Sequence, residues 1–192
     1  MTGLSSPLGA IHRANALTYG SLVASLAAML AALDGRPGDA GALLALSVLC
    51  DTFDGRFARL FTRTPAERQA GAQLDSLSDA IAFGAAPIVC VWSLGEPSLL
   101  AASAYAAGII TRLAFFNVTH EERAGFVGVP APVAALILAT ALLLDPSGRL
   151  TTPLLVATAA ATVLPISIPR PRGAGLAAFV CWPLAVLTLH VL

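Results

Sequence analysis

The sequence predicts an all-α polytopic membrane bundle, with six core transmembrane helices and a seventh apolar segment after them. Composition is the first reason. Of 192 residues, 57% are hydrophobic and 11% charged, where a soluble domain carries roughly 25% charged residues. Mean hydropathy is +0.80. The second reason is a succession of apolar runs separated by clusters of Gly, Pro and Asp, which read as turns. The third is charge placement: the chain has no lysine, and its arginines fall mainly on alternate connections.

Taken in order, residues 1–14 read as a short interfacial helix on the strength of Leu4, Leu8 and Ile11. Residues 16–33 form the first span, closed by Asp34-Gly35-Arg36-Pro37-Gly38. The run 40–50 is short for a span of about 20 residues. It becomes long enough only if it continues through Asp51 to Arg59. Thr64-Pro65-Ala66-Glu67 reads as a connection and a helix start, because proline suits a first turn and glutamate its dipole. The third helix carries Gly71, Asp75 and Asp79 into the apolar run 80–94, and Gly95-Glu96-Pro97 ends it. The run 97–111 likewise gains span length by including Arg112 to Asn117. Runs 129–144, 150–168 and 173–192 follow, divided by Asp145-Pro146-Ser147-Gly148 and Pro169-Arg170-Pro171-Arg172-Gly173.

On one side of the membrane these spans place Arg13, Arg56, Arg59, Arg63, Arg68, Arg123, Arg170 and Arg172; the other side receives Arg36 and Arg149. Arginine excess marks the cytoplasmic face, so the N-terminus and the aspartate-bearing helix ends are expected there, in a cytoplasmic (inner) membrane. No repeat or second domain is visible, and residues 1–192 read as one domain with 173–192 as an added segment. The N-terminus lacks the basic n-region and apolar h-region of a signal peptide. Cys50, Cys90 and Cys181 sit in apolar runs without metal or disulfide spacing. Zero net charge gives no electrostatic case for a nucleic-acid partner. His12 and His190 read as interfacial residues without a catalytic part.

Asp51, Asp54, Asp75 and Asp79 stand out because the chain has only eleven acidic residues. Ionisable groups at membrane depth are costly and point to function. At 100° per residue, Asp51, Asp54 and Ala58 share one helix face, and Gly71, Asp75 and Asp79 share another. Two facing helices can thus aim four carboxylates into one pocket. Crowded carboxylates repel unless cations offset them, and hard divalent ions such as Mg²⁺ or Mn²⁺ take oxygen ligands and bridge to phosphates. Two such ions can stabilise attacking and departing oxygens in phosphoryl transfer. Gly55, Ala58 and Gly71 leave room for a nucleotide against the helix backbone, and Arg59 is placed to neutralise a diphosphate.

These residues fill D-x-x-D-G-x-x-A-R followed by G-x-x-x-D-x-x-x-D, and the pattern resembles the CDP-alcohol phosphotransferases, membrane enzymes that join a CDP-linked substrate to an alcohol and release CMP. Eleven residues separate Arg59 from Gly71, a longer connection than the pattern usually has. The resemblance implies that Asp51, Asp54, Asp75 and Asp79 hold two divalent ions, that Asp79 is the general base, and that the enzyme is a homodimer. Asn15-Ala16-Leu17-Thr18 is similar to an N-terminal Asn-x-x-Thr element of the family, with Ala14 in place of its proline. That adds Asn15 and Thr18 to the CDP-binding set of Gly55, Ala58, Arg59 and Gly71; Asn15 reads equally well as a helix cap.

The stretch from Leu74 to Pro87, containing Phe83-Gly84-Ala85-Ala86-Pro87, resembles the phosphatidylserine synthase branch, as do Arg112 to Asn117 and Phe126 to Pro132. Phe115 stands where that branch has a second arginine. The resemblance implies CDP-diacylglycerol as donor and serine as acceptor. Arg112 suits the serine carboxylate, with Asn117 and Arg123 as further alcohol-binding candidates. Arg112 reads alternatively as snorkelling, Asn117 as a helix end and Arg123 as part of a solvated loop. Other acceptors (glycerol phosphate, inositol phosphate) and an ether-lipid donor remain within the class. A cation transporter is the alternative from another class, but it lacks inverted repeats and leaves Gly55, Ala58 and Gly71 unexplained.

Overall fold

Small residues line the inward face of the first helix, and its large ones point away from the core. In the computed structural model, which describes residues 6–95, 97–119, 125–145, 147–169, 171 and 173–191, helix α1 (Ala16–Leu33) buries Thr18, Ser21, Ala24, Ser25, Ala28, Ala31 and Ala32. Its Val23, Leu26, Leu30 and Leu33 are exposed. This is how a helix packs when its other neighbour is lipid, because small residues let backbones approach closely and bulky ones already sit in an apolar solvent. Helix α2 (Pro37–Ala58) lies along α1, joined by a buried Ser21–Ser47 hydroxyl pair at 2.8 Å.

Thr64 caps α3 (Pro65–Asp79) in a reciprocal box with Glu67, behind Pro65 in the first turn. The same rod continues through a π-helical segment, Ala80–Ala85, into α4 (Ala86–Trp92). Helix α5 (Leu99–Thr119) turns Tyr105, Ile109, Arg112 and Leu113 inward at helical spacing. Helix α6 (Ala131–Leu144) packs on α2, and α7 (Thr151–Val163) on α5. Helix α8 (Ala174–Val191) lies mostly exposed beside α2 and α6. It is held by Trp182 Nε1 donating to Thr140 Oγ1 at 3.0 Å and by His190 against Asp39 at 2.9 Å.

The result is an all-α bundle of the polytopic membrane type. Four rods are long and apolar enough to cross a bilayer: Arg13–Leu33, Pro65–Trp92, Leu99–Thr119 and Ala174–Val191. Helices α6 and α7 are apolar but shorter. Helix α2 has the length but carries Asp39, Asp51, Asp54 and Arg56.

Three local expectations are corrected. Where an interfacial helix was expected over 1–14, the described part forms two 3-10 turns, Pro7–Ala10 and Arg13–Asn15, separated by extended backbone at Ile11 and His12. The span expected over 150–168 stops at Val163, because Pro165 forces Leu164 out of the helical region (φ −62°, ψ 138°). The chain beyond it, Ser167–Pro169 (β2), pairs antiparallel with Gly125–Val127 (β1), setting Phe126 opposite Ile168 and Val127 opposite Ser167. No strand was expected.

Gly128 makes the turn from β1 into α6 possible. Its φ is +72°, and a Cβ there would lie 2.1 Å from the Thr162 carbonyl oxygen at the end of α7. The left-handed conformation alone costs a side-chain-bearing residue about 1–2 kcal/mol, and the backbone contact adds to it. Gly128→Ala is therefore expected to lower the thermal unfolding midpoint in detergent. An unchanged midpoint would show that the ribbon and α7 yield freely.

Candidate active site

The four aspartates meet at one end of the bundle because two helices present them at helical spacing: Asp51 and Asp54 near the C-terminal end of α2, Asp75 and Asp79 in the last turns of α3. Carboxylate oxygens of Asp51, Asp54 and Asp75 all lie within 4.8 Å of one another. Asp79 stands outside that trio, its carboxyl within hydrogen-bonding reach of Asp51, as Asp75 is of Asp54. Like charges hold such an arrangement when cations offset them or when the carboxyls share protons. The three oxygen donors, free of nitrogen or sulfur, fit a hard divalent cation.

Asp54 is aimed by α1. Thr18 Oγ1 donates to its Oδ2 at 3.0 Å, and the Thr18 carbonyl accepts from Ser78 Oγ at 3.2 Å, so one residue of α1 ties α2 to α3. Beside this link lies a cleft of about 180 Å³ that brings together Asn15, Thr18, Asp54, Gly55, Ala58, Gly71 and Asp75. Asn15 is only 3% exposed, and its Nδ2 has no hydrogen-bond partner. It precedes α1 without a side-chain capping bond, so the capping alternative does not apply. Gly71 is small because Asn15 is close: a Cβ there would lie 3.0 Å from Asn15 Oδ1 and 3.1 Å from Arg63 Nη1. At Gly55 a Cβ would meet nothing within 4 Å, which leaves open space beside α2.

Arg59 does not line this cleft; it is exposed and donates from Nε to the Gly55 carbonyl at 3.0 Å. Arg63 and Arg68 line it instead. Arg68 was legible, since it shares a stripe with Gly71, Ala72, Asp75 and Asp79. Arg63 sits in a connection without periodicity and gave no signal.

A second cavity, of about 370 Å³, opens on the α5–α7 side and is bounded by Arg112, Phe115, Thr162, Pro165 and the paired ribbon residues Val127 and Ser167. Arg112 is 7% exposed, its Nε is without a partner, and its guanidinium sits 5.7 Å from the Phe126 ring centre. It is near enough to Asp51 and Asp79 to act on both charges. Snorkelling does not describe a side chain held this way. Asn117 is not in the cavity wall; it accepts a hydrogen bond from Ser76 Oγ at 3.0 Å, linking α5 to α3. Arg123 lies outside the described residues. Phe126 was missed as the cover of Arg112, because a contact made across a ribbon leaves no mark in local sequence.

Asp54 and Asp75 thus stand in the wall of the cleft, whereas the second cavity is linked to the carboxylates through Arg112, which lines it and lies near Asp51 and Asp79.

A family model described as CDP-alcohol phosphatidyltransferase matches residues 11–166. A CDP-diacylglycerol–serine O-phosphatidyltransferase of Mycobacterium bovis is 34% identical over 136 residues, 64% of this chain and 46% of the relative. One of the same name from Methanocaldococcus jannaschii is 37% identical over 98 residues, 50% of this chain and 46% of the relative. An archaetidylserine synthase of Methanothermobacter thermautotrophicus is 32% identical over 152 residues, 77% of this chain and 65% of the relative. The chain spans about half the length of the mycobacterial relative it matches.

Proposed function

The chain belongs to the CDP-alcohol phosphatidyltransferase family, and from that membership we propose that it transfers a phosphatidyl group from CDP-diacylglycerol to L-serine, giving phosphatidylserine and CMP. The observation that carries this reading is the convergence of Asp51, Asp54 and Asp75 at a cleft that has Asp54 and Asp75 in its wall. The relatives' names agree on serine and differ in the lipid.

CDP-diacylglycerol places its CDP group in the cleft bounded by Asn15, Thr18, Gly55, Ala58 and Gly71, with its acyl chains in lipid. Arg63 and Arg68 offset the diphosphate charge there, and Arg59 stands at the rim. Serine occupies the Arg112 cavity, where the guanidinium pairs with its carboxylate. Phe126 holds that guanidinium from the far side, and Asn117 and Arg123 complete the proposed alcohol-binding set. Asp79, beside both Asp51 and Arg112, takes the proton of the serine hydroxyl. The freed oxygen attacks the phosphorus that carries the lipid, the bond to the bridging oxygen breaks, and CMP leaves with that electron pair. Asp51, Asp54 and Asp75, with Asp79 adjoining, are the residues that would hold Mg²⁺ or Mn²⁺, two ions in our reading; bound there, the ions supply charge stabilisation for the attacking and departing oxygens.

Arginine distribution supports a cytoplasmic site in the inner membrane. Residues 1–192 are read as one domain with α8 as an added span, and the family resemblance implies a homodimer as the working form. The test is one parallel assay. Purified protein with Mn²⁺ or Mg²⁺ and CDP-diacylglycerol is offered serine, glycerol phosphate, inositol phosphate and inositol, and CMP release is recorded. Serine is expected to drive release, and Arg112→Gln to raise the KM for serine by at least tenfold, the order of one charge-assisted bond. Release with another acceptor alone overturns the serine assignment. Absence of release with every acceptor overturns the reaction.

A further inference from the structure

The rod that carries Asp75 and Asp79 changes its winding directly after Asp79. Ala80–Ala85 is π-helical, with the Ala86 N–H reaching back to the Ile81 carbonyl. A π segment adds a residue to the turn and re-aims every side chain before it relative to those after it; such bulges are frequent at functional sites. Pro87 follows within the same rod and has no N–H to donate. In regular helix the carbonyl left without its donor is that of Phe83, four residues back. Here it accepts from Tyr105 Oη at 2.7 Å, wholly inside the core. The donor comes from α5, and Tyr105 lies seven residues, two turns, before Arg112 on the same face of that helix. Gly84, next to Phe83, is also against α5, where its Cβ would lie 3.6 Å from Ile109 Cγ2.

From this geometry we infer that Tyr105 is a positioning residue: its hydrogen bond to Phe83 fixes the π register, and through it the placement of Asp75 and Asp79 against Asp51 and Asp54. A bond that merely satisfied a buried carbonyl could be replaced by any donor. This one also joins the helix bearing Arg112 to the helix bearing half the carboxylates. The inference rests on the carboxylates being a metal site, as proposed above.

The test separates the two roles of the bond. Tyr105→Phe removes the hydroxyl, and adding Pro87→Ala returns an N–H to the rod itself. Mn²⁺ binding is titrated by electron paramagnetic resonance in detergent for wild type, Y105F, P87A and Y105F/P87A, with unfolding midpoints alongside. Wild type and P87A are expected to bind alike. Y105F and the double variant should bind about 10–100-fold more weakly, the range of a lost outer-shell partner, while the double variant regains the stability that Y105F loses. Should Y105F not fold, the double variant decides alone. Wild-type affinity in the double variant, or the same loss in P87A alone, overturns the inference while leaving the metal site standing. Failure of both Tyr105 variants to fold also overturns it, because the bond then holds the bundle and not the site. No Mn²⁺ binding by wild type overturns the metal reading and this inference with it.

Discussion

Asp79→Asn lowers CMP release by about 10²–10⁴-fold, the usual contribution of a general base, in a protein that still folds and still binds Mn²⁺. Asparagine keeps the shape and a hydrogen-bonding oxygen but cannot take a proton. Asp79 stands outside the trio of carboxylates whose oxygens lie within 4.8 Å. Its charged neighbours are Asp75, Asp51, Asp54 and Arg112, and Arg112 lines the proposed acceptor cavity. The variant should therefore lose kcat and keep its metal affinity within a few-fold. Turnover and Mn²⁺ titration measured on one preparation check this. Near-normal turnover moves the base to another group, and equal loss of turnover and metal binding makes Asp79 a ligand.

Asp54→Ala, by contrast, should lose metal binding and turnover together. Asp54 is at once a member of the trio, a wall of the cleft and the acceptor of the Thr18 hydroxyl. Its loss should weaken Mn²⁺ by more than the roughly 10–100-fold of an outer-shell change. Thr18→Val, which removes only the aiming hydroxyl, should fall within that range. Chelation with EDTA should likewise stop CMP release by the wild type, and added Mn²⁺ or Mg²⁺ should restore it. Release that survives chelation would rule out a metal-dependent reaction. Asp54→Ala and Thr18→Val of equal effect would mean that the carboxylate acts only through its hydrogen bond.

The carboxylate centre was legible because its logic is periodic. Asp51 and Asp54 on one helix, and Gly71, Asp75 and Asp79 on another, need only the helical repeat to be brought face to face, and the capping pair Thr64–Glu67 announces the start of the second. What escaped reading depends on contacts between distant segments. The ribbon of Gly125–Val127 with Ser167–Pro169 is too short for alternation to show. Proline told where α7 ends only once Leu164 was seen extended. The π segment has no compositional mark, and Arg59 and Arg63 look alike in sequence although only Arg63 reaches the cleft. Asn15 had two readings of equal merit, and the absence of a side-chain capping bond removed one of them.

The inward alanines of α1 invert the usual map of mutational tolerance. In a soluble helix the outward positions accept almost anything polar and the inward ones accept apolar exchange. Here Val23, Leu26, Leu30 and Leu33 face outward, where a bilayer accepts any apolar side chain. Ala24, Ala28, Ala31 and Ala32 are closed in and have no room to grow. Apolar exchange in this part of the chain is thus tolerated best at its bulkiest residues, and the smallest, least conspicuous ones are the positions that hold α1 against its neighbours.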